Sequence, residues 1–279
     1  MHAHRNRPHA LMVILALGGG LALILYIHGM RWWYAPLAVV VFVLSHVLIL
    51  GGGAAAPQES QSRSPQDGSM LLHRPRLFDW MTWVCTLGQE TKLRRWTLDL
   101  AALQPGDAVL DVGCGTGTLL LAAAQRVGPS GALHGIELSP AMAAHARRKA
   151  ESSRIPLQIV AGSAHSLPYP ADSFDAAFCT LVLHHLPETM WEDAIREMHR
   201  ALRPGGRVVL VDWQRPKSLV RALLSPMFPV YLLHNLGAKD SPLDALPVER
   251  LLTDLGFQGV TRHSFGGAGG VGAIAGSRV

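Results

Sequence analysis

The stretch Val109-Leu110-Asp111-Val112-Gly113-Cys114-Gly115-Thr116-Gly117 constrains the fold of this chain more than any other. A short, mostly apolar run leads straight into a turn with glycine at every second position. Small apolar residues, Thr118 to Val127, follow it. The pattern predicts a buried strand, a tight turn and a helix. In that order the elements bring backbone amides and a helix N-terminus up to a ligand. Twenty residues beyond Gly117, the run Ala132-Leu133-His134-Gly135-Ile136-Glu137 ends in an acid. A carboxylate at the end of a second strand, at that distance, is placed to bind ribose hydroxyls.

Glycine spacing separates the two cofactor classes that use this arrangement. A dinucleotide fingerprint needs a third glycine where this chain has Thr118. Further motifs follow in order. Ala161-Gly162-Ser163-Ala164-His165-Ser166-Leu167-Pro168-Tyr169 follows a third predicted strand. Ser173-Phe174-Asp175-Ala176-Ala177-Phe178-Cys179 forms a fourth, and Leu183-His184-His185-Leu186 comes after it. Glu197-Met198-His199-Arg200-Ala201-Leu202-Arg203-Pro204-Gly205-Gly206-Arg207 precedes a fifth. From about Leu71 to the C-terminus the chain resembles the class I S-adenosylmethionine-dependent methyltransferases, in the branch acting on small molecules, quinones and lipids.

The resemblance implies a Rossmann-like α/β fold, a doubly wound seven-stranded mostly parallel sheet, with S-adenosylmethionine as cofactor. It implies that Asp111, Gly113, Gly115 and Gly117 hold the methionine moiety and that Glu137 holds the ribose. Leu138 would flank the adenine, and Ser163, Ala164 and His165 would meet its edge. One position departs from the family, which usually has an acid where this chain has Ser163. A hydroxyl still accepts a hydrogen bond, but a neutral one. His184 and His185 follow the fourth strand, at the carboxyl edge where open α/β sheets place ligands. They are the candidate catalytic residues, since an imidazole there could deprotonate a phenol or enol near neutral pH. Each could instead pack under the sheet or line the cleft.

Periodicity and punctuation predict strands at 108–112, 132–137, 157–161, 174–180 and 207–213. Helices are predicted at 117–127, 140–152 and 188–202, with two more within 77–102. A helix ending at Gly256 and two last strands near 258–265 and 271–277 complete the pattern. Strands alternating with helices imply a sheet covered on both faces.

The mean hydropathy of +0.21 is high for a domain of this kind, and the N-terminus accounts for it. Ala10 to Ile27 and Ala35 to Ala54 are uncharged apolar runs, each close to the length that crosses a hydrocarbon core. Their short connector carries Trp32, Trp33 and Tyr34, residues that favour the water–lipid interface. Residues 1–56 are therefore expected to form a membrane-anchoring hairpin of two transmembrane helices, 57–70 a polar linker, and 71–279 the catalytic domain. A secretory leader or a pair of core helices would be the plainer alternatives. Arg5 and Arg7 precede the first run and Arg63, Arg74 and Arg76 follow the second, while the connector has only Arg31. This bias places both ends, and the catalytic domain, on the cytoplasmic side of the cell membrane.

A net charge of +5 and a basic pI raise the question of nucleic acid. The cations His73, Arg74, Arg76, Lys92, Arg94 and Arg95 are however interleaved with Phe78, Trp80, Trp83 and Trp96 next to the expected anchor. Contact with lipid headgroups, or a solvated helix face, suits them better, and no nucleic-acid partner is expected. Cys85, Cys114 and Cys179 lack metal-ligand spacing, so neither a metal site nor a disulfide framework is expected. The insertion Arg215 to Leu246 has an apolar centre, Leu219 to Leu233, that would suit a lid over an apolar acceptor or ordinary packing on the sheet. The function expected is methyl transfer to a lipophilic small molecule, a quinone precursor or lipid. A soluble metabolite acceptor, or a silent cofactor-binding scaffold, is the alternative.

Overall fold

The computed structural model describes residues 74–85, 88–214, 242–245, 248–265 and 270–279. The expected hairpin, the polar linker and the apolar centre of the insertion lie outside them. Among the described residues no helix is long and apolar enough to cross a membrane.

Two helices, α1 (Pro75–Cys85) and α2 (Glu90–Ala101), lead into the sheet. Then β1 (Ala108–Val112), α3 (Thr118–Val127), β2 (Ala132–Glu137), α4 (Pro140–Ser153) and β3 (Gln158–Ala161) follow. The second half holds β4 (Phe174–Thr180), α5 (Trp191–Ala201), β5 (Leu202–Gln214), the short α6 (Pro242–Ala245), α7 (Val248–Asp254), β6 (Phe257–Ser264) and β7 (Gly270–Arg278). Seven strands form one sheet in the order β3-β2-β1-β4-β5-β7-β6. Strands β1 to β5 pair in parallel, while β7 runs antiparallel to both β5 and β6. The order reverses between β1 and β4, and such a switch point leaves a crevice at the carboxyl ends of the strands.

Alternation along each strand builds two cores. Val109, Ala176, Phe178, Val209 and Val211 face α2, α3 and α4. Leu110, Val112, Ala177, Cys179, Val208 and Leu210 face α5, α6 and α7. Helix α5 shows why a helix forms there: Trp191, Ala194, Ile195, Met198 and Ala201 recur at helical spacing and are all buried. Helix α4 starts at Pro140 behind the N-cap Ser139, whose hydroxyl accepts from the Met142 amide at 3.4 Å.

The predicted elements match within a few residues, with two informative differences. Helix α5 begins at Trp191 rather than 188, because Glu188–Met190 makes a separate 3-10 turn after Pro187. Strand β5 begins at Leu202 rather than 207. Leu202 pairs with Phe174, and the register shifts before Ala176 meets Arg207. The intervening Arg203-Pro204-Gly205-Gly206 reads as a turn in sequence, and only the partner strand reveals the early pair.

Candidate functional site

Strand β1 delivers Asp111 and then the glycine turn to the crevice. The Gly113 and Cys114 amides donate to the Ile136 carbonyl at 2.8 and 3.0 Å, which lashes the turn to β2. Gly113, at φ 72°, lies against Val182: a Cβ there would stand 2.5 Å from its Cγ2. Gly115, at φ 55°, has nothing within 4 Å of that position, so its outer side is open for close approach. The two glycines thus serve different ends. Gly113→Ala is expected to destabilise the protein by about 2–4 kcal/mol, combining left-handed strain with overpacking. Gly115→Ala carries only the backbone cost, about 1–2 kcal/mol, and should act mainly on cofactor affinity. Thermal unfolding and ligand titration of both variants separate the two effects.

Glu137, at the end of β2, is nearly buried. Its Oε2 accepts from the Gly115 amide and its Oε1 from the Ser139 amide, each at 2.8 Å. Burial pushes its carboxyl up, and bonds from the Ser139, Gly115 and Leu138 amides hold it down. The sequence pattern predicts a ribose-binding role for this acid; in the structure it also pins the glycine turn. Each carboxylate oxygen has two acceptor sites, so both can still take a ribose hydroxyl.

Asp111 is buried, and its Oδ1 has no hydrogen-bond partner. Burial raises its pKa from 3.8 to about 7, Arg94 on α2 lowers it in part, and Glu137 adds to the rise. A buried carboxylate with one orphaned oxygen beside a glycine turn fits the ammonium of the methionine moiety, which would supply the missing donor and charge. The raised pKa also has a sign for stability. This group's contribution is fully present below its unfolded pKa, near 4, and is lost as pH rises through about 7. Asp111→Asn is therefore expected to raise the melting temperature of the cofactor-free protein at pH 8, removing a cost on the order of 4 kcal/mol. The same change should abolish the further rise that S-adenosylmethionine gives the parent. An unchanged melting temperature would show that burial of this charge is not costly.

Where the resemblance expects the adenine, Leu138 is 42 % exposed, an apolar face at the carboxyl end of β2. Ser163 Oγ and His165 Nδ1 lie 2.7 Å apart, so the serine in place of the family's acid comes paired with an imidazole. Ala164 sits between them, half-buried. The Gly162 amide donates to the Glu137 carbonyl at 3.1 Å, which ties this loop to the end of β2.

The two histidines differ. Both lie in a 3-10 turn, Leu183–His185, just after β4. His185 is exposed. His184 is largely buried, and its Nδ1 lies 2.8 Å from Oδ1 of Asp212, a fully buried carboxylate near the end of β5. The rings of His184 and His185 touch at a tilt of 47°, with centroids 3.9 Å apart. The carboxylate thus holds the ring through Nδ1 and fixes its orientation at the carboxyl end of β4. Cys179 lies near both acids: burial raises its thiol well above the usual range, and Asp212 and then Asp111 add to the rise.

Asp212 was missed in the sequence, although the signal resembles that of Glu137: a lone acid near the carboxyl end of an apolar strand. A second missed group is Asp79 on α1. Its Oδ1 accepts from Thr116 Oγ1 at 2.6 Å and its Oδ2 from Lys149 Nζ at 2.8 Å. No local pattern could link residues so far apart in the chain.

Residues 109–206 match a family model described as a methyltransferase domain. The demethylmenaquinone methyltransferase of Listeria welshimeri is 31% identical over 160 residues, covering 55% of this chain and 67% of that one. The enzyme of the same name from Shouchella clausii is 34% identical over 158 residues, covering 56% of this chain and 66% of its own. Among solved structures, a geranyl diphosphate C-methyltransferase from Streptomyces coelicolor A3(2), holding S-adenosyl-L-homocysteine, superposes with a TM-score of 0.54 at 18% identity. That match covers 68% of this chain and 79% of that one. A SAM-dependent methyltransferase from Aquifex aeolicus gives 0.51 at 22% identity, covering 67% and 89%. At these identities the structural likeness concerns the fold.

Proposed function

From the premise that this chain belongs to the S-adenosylmethionine-dependent methyltransferases, we propose that it methylates a lipophilic small molecule, a quinone precursor or lipid, from a membrane-anchored position. The observation that carries this reading is the 31% identity to enzymes named for demethylmenaquinone. The two uncharged apolar runs, Ala10–Ile27 and Ala35–Ala54, support the anchor. The arginine bias around them supports two spans with the catalytic domain in the cytoplasm.

In this reading Asp111 and the glycine turn hold the methionine end of the cofactor, and Glu137 holds the ribose. Leu138, Ser163, Ala164 and His165 hold the adenine. Bound there, the cofactor supplies an electrophilic methyl group on a sulfonium, whose leaving group is a neutral thioether. The protein's share is alignment and, for an acceptor that must first lose a proton, a base. His184 serves as that base, with Asp212 as a positioning residue that holds the ring through Nδ1 and steadies the imidazolium formed. Exposed His185 lines the mouth.

The decisive experiment compares lipid extracts from cells with and without the protein by mass spectrometry. A species heavier by one methylene, the net gain when a methyl group replaces a hydrogen, should appear only where the protein is present. A shift confined to the polar metabolite fraction would replace the lipophilic acceptor with a soluble one. Cofactor binding without any shift would favour a silent scaffold. Release of the full-length protein by a carbonate wash would remove the anchor.

A further inference from the structure

A cleft of about 450 Å³ opens at the start of α1, lined by Arg74, Pro75, Arg76, Leu77, His145 and Arg148. Among the described residues none of the three arginines has a carboxylate partner. The acid beside the cleft, Asp79, is already committed to Lys149 and Thr116, with His145 Nε2 at 3.6 Å. Burial holds His145 below its ordinary range; Asp79 opposes this, while Lys149, Arg148 and Arg76 add to it. Cationic charge therefore exceeds what the neighbouring residues neutralise. Three arginines around one cleft give it a positive field suited to an oxyanion, above all a phosphate.

The same helix carries two exposed indoles in line with one of these cations. Arg76, Trp80 and Trp83 recur at i, i+4 and i+7, so they share one side of α1. Trp80 is 50 % exposed and Trp83 58 %. Indole rings beside cations favour the headgroup layer of a bilayer.

We propose that this cleft binds the phosphate of an anionic lipid headgroup, with Trp80 and Trp83 seated in the interfacial layer beside it. The proposal deepens the membrane-anchored reading and rests on it. It also gives the contact a consequence. Asp79, on a neighbouring side of α1, holds Thr116, which stands between Gly115 and Gly117 in the cofactor turn. Lys149, next to Arg148 on α4, donates to both Thr116 Oγ1 at 3.1 Å and Thr118 Oγ1 at 2.8 Å. A headgroup that fixes α1 against α4 therefore fixes the turn that receives the cofactor, and the two binding events favour each other.

The test uses the full-length protein in nanodiscs of phosphatidylcholine alone or with phosphatidylglycerol added. S-adenosylhomocysteine affinity is read by calorimetry. Phosphatidylglycerol should tighten it about fivefold or more. Arg76→Gln with Arg148→Gln, at two exposed positions, should remove that gain and leave the affinity in phosphatidylcholine unchanged. Equal affinity in the two lipids, or a gain that survives the double substitution, overturns the proposal. So does inorganic phosphate that reproduces the gain in phosphatidylcholine, which would make free phosphate the ligand. Failure of the anchor itself shows separately, as release by carbonate, and failure of the acceptor assignment leaves this measurement untouched.

Discussion

Replacing Glu137 with alanine is expected to raise the dissociation constant for S-adenosylmethionine by about 30- to 900-fold, the equivalent of roughly 2–4 kcal/mol. Two losses combine. A carboxylate accepting from ribose hydroxyls makes charge-assisted bonds that alanine cannot replace. The Gly115 and Ser139 amides also lose their acceptors, at 2.8 Å each, so the glycine turn is no longer pinned to the end of β2. Glutamine is not a mild substitute here. Its amide has one acceptor oxygen, so one of the two backbone N–H groups would face an NH2 group. Glu137→Gln should therefore lose much of the affinity that Glu137→Ala loses. Calorimetric titration of both variants, with circular dichroism to confirm the fold, measures the effect. Parent-like affinity in the alanine variant would remove Glu137 from the site.

Asp212→Asn is expected to lower kcat by about 10²- to 10⁴-fold while cofactor affinity stays near that of the parent. The carboxylate holds His184 Nδ1 at 2.8 Å from a position with no solvent exposure. An asparagine presents either an oxygen or an NH2 group there and loses the charge that steadies an imidazolium. Asp212 also accepts from the Trp213 amide at 2.7 Å, so thermal unfolding must accompany the kinetics. The sharper measurement is a double-mutant cycle. If Asp212 acts through His184, the pair Asp212→Asn with His184→Ala should be no slower than His184→Ala alone. Fully additive losses would separate the two residues, and an unchanged kcat in both single variants would leave alignment as the protein's main contribution.

The local part of this protein is legible in its sequence. Strands β1, β2 and β4 have the predicted bounds, because apolar runs between glycine or proline punctuation carry their own signal. The placement of the candidate cofactor residues is legible for the same reason. Asp111, the glycine turn and Glu137 are fixed by a strand–turn–helix–strand unit that is continuous in the chain, so their spacing encodes their geometry. The hairpin reading likewise rests on local hydropathy alone.

What tertiary structure decided lies between distant segments. That His184 is held and His185 exposed depends on β5 lying beside β4, which places Asp212 under one ring and not the other. That Asp111 Oδ1 lacks a hydrogen-bond partner depends on what the sheet and α2 bring around it. The link from α1 to the glycine turn joins Asp79 to Thr116 and Lys149, residues 37 and 70 positions away. Periodicity records which face a residue presents to its own element's surroundings. It carries no record of which distant side chain will meet it there, since pairing of that kind is settled only when the whole sheet assembles and buries its charges together.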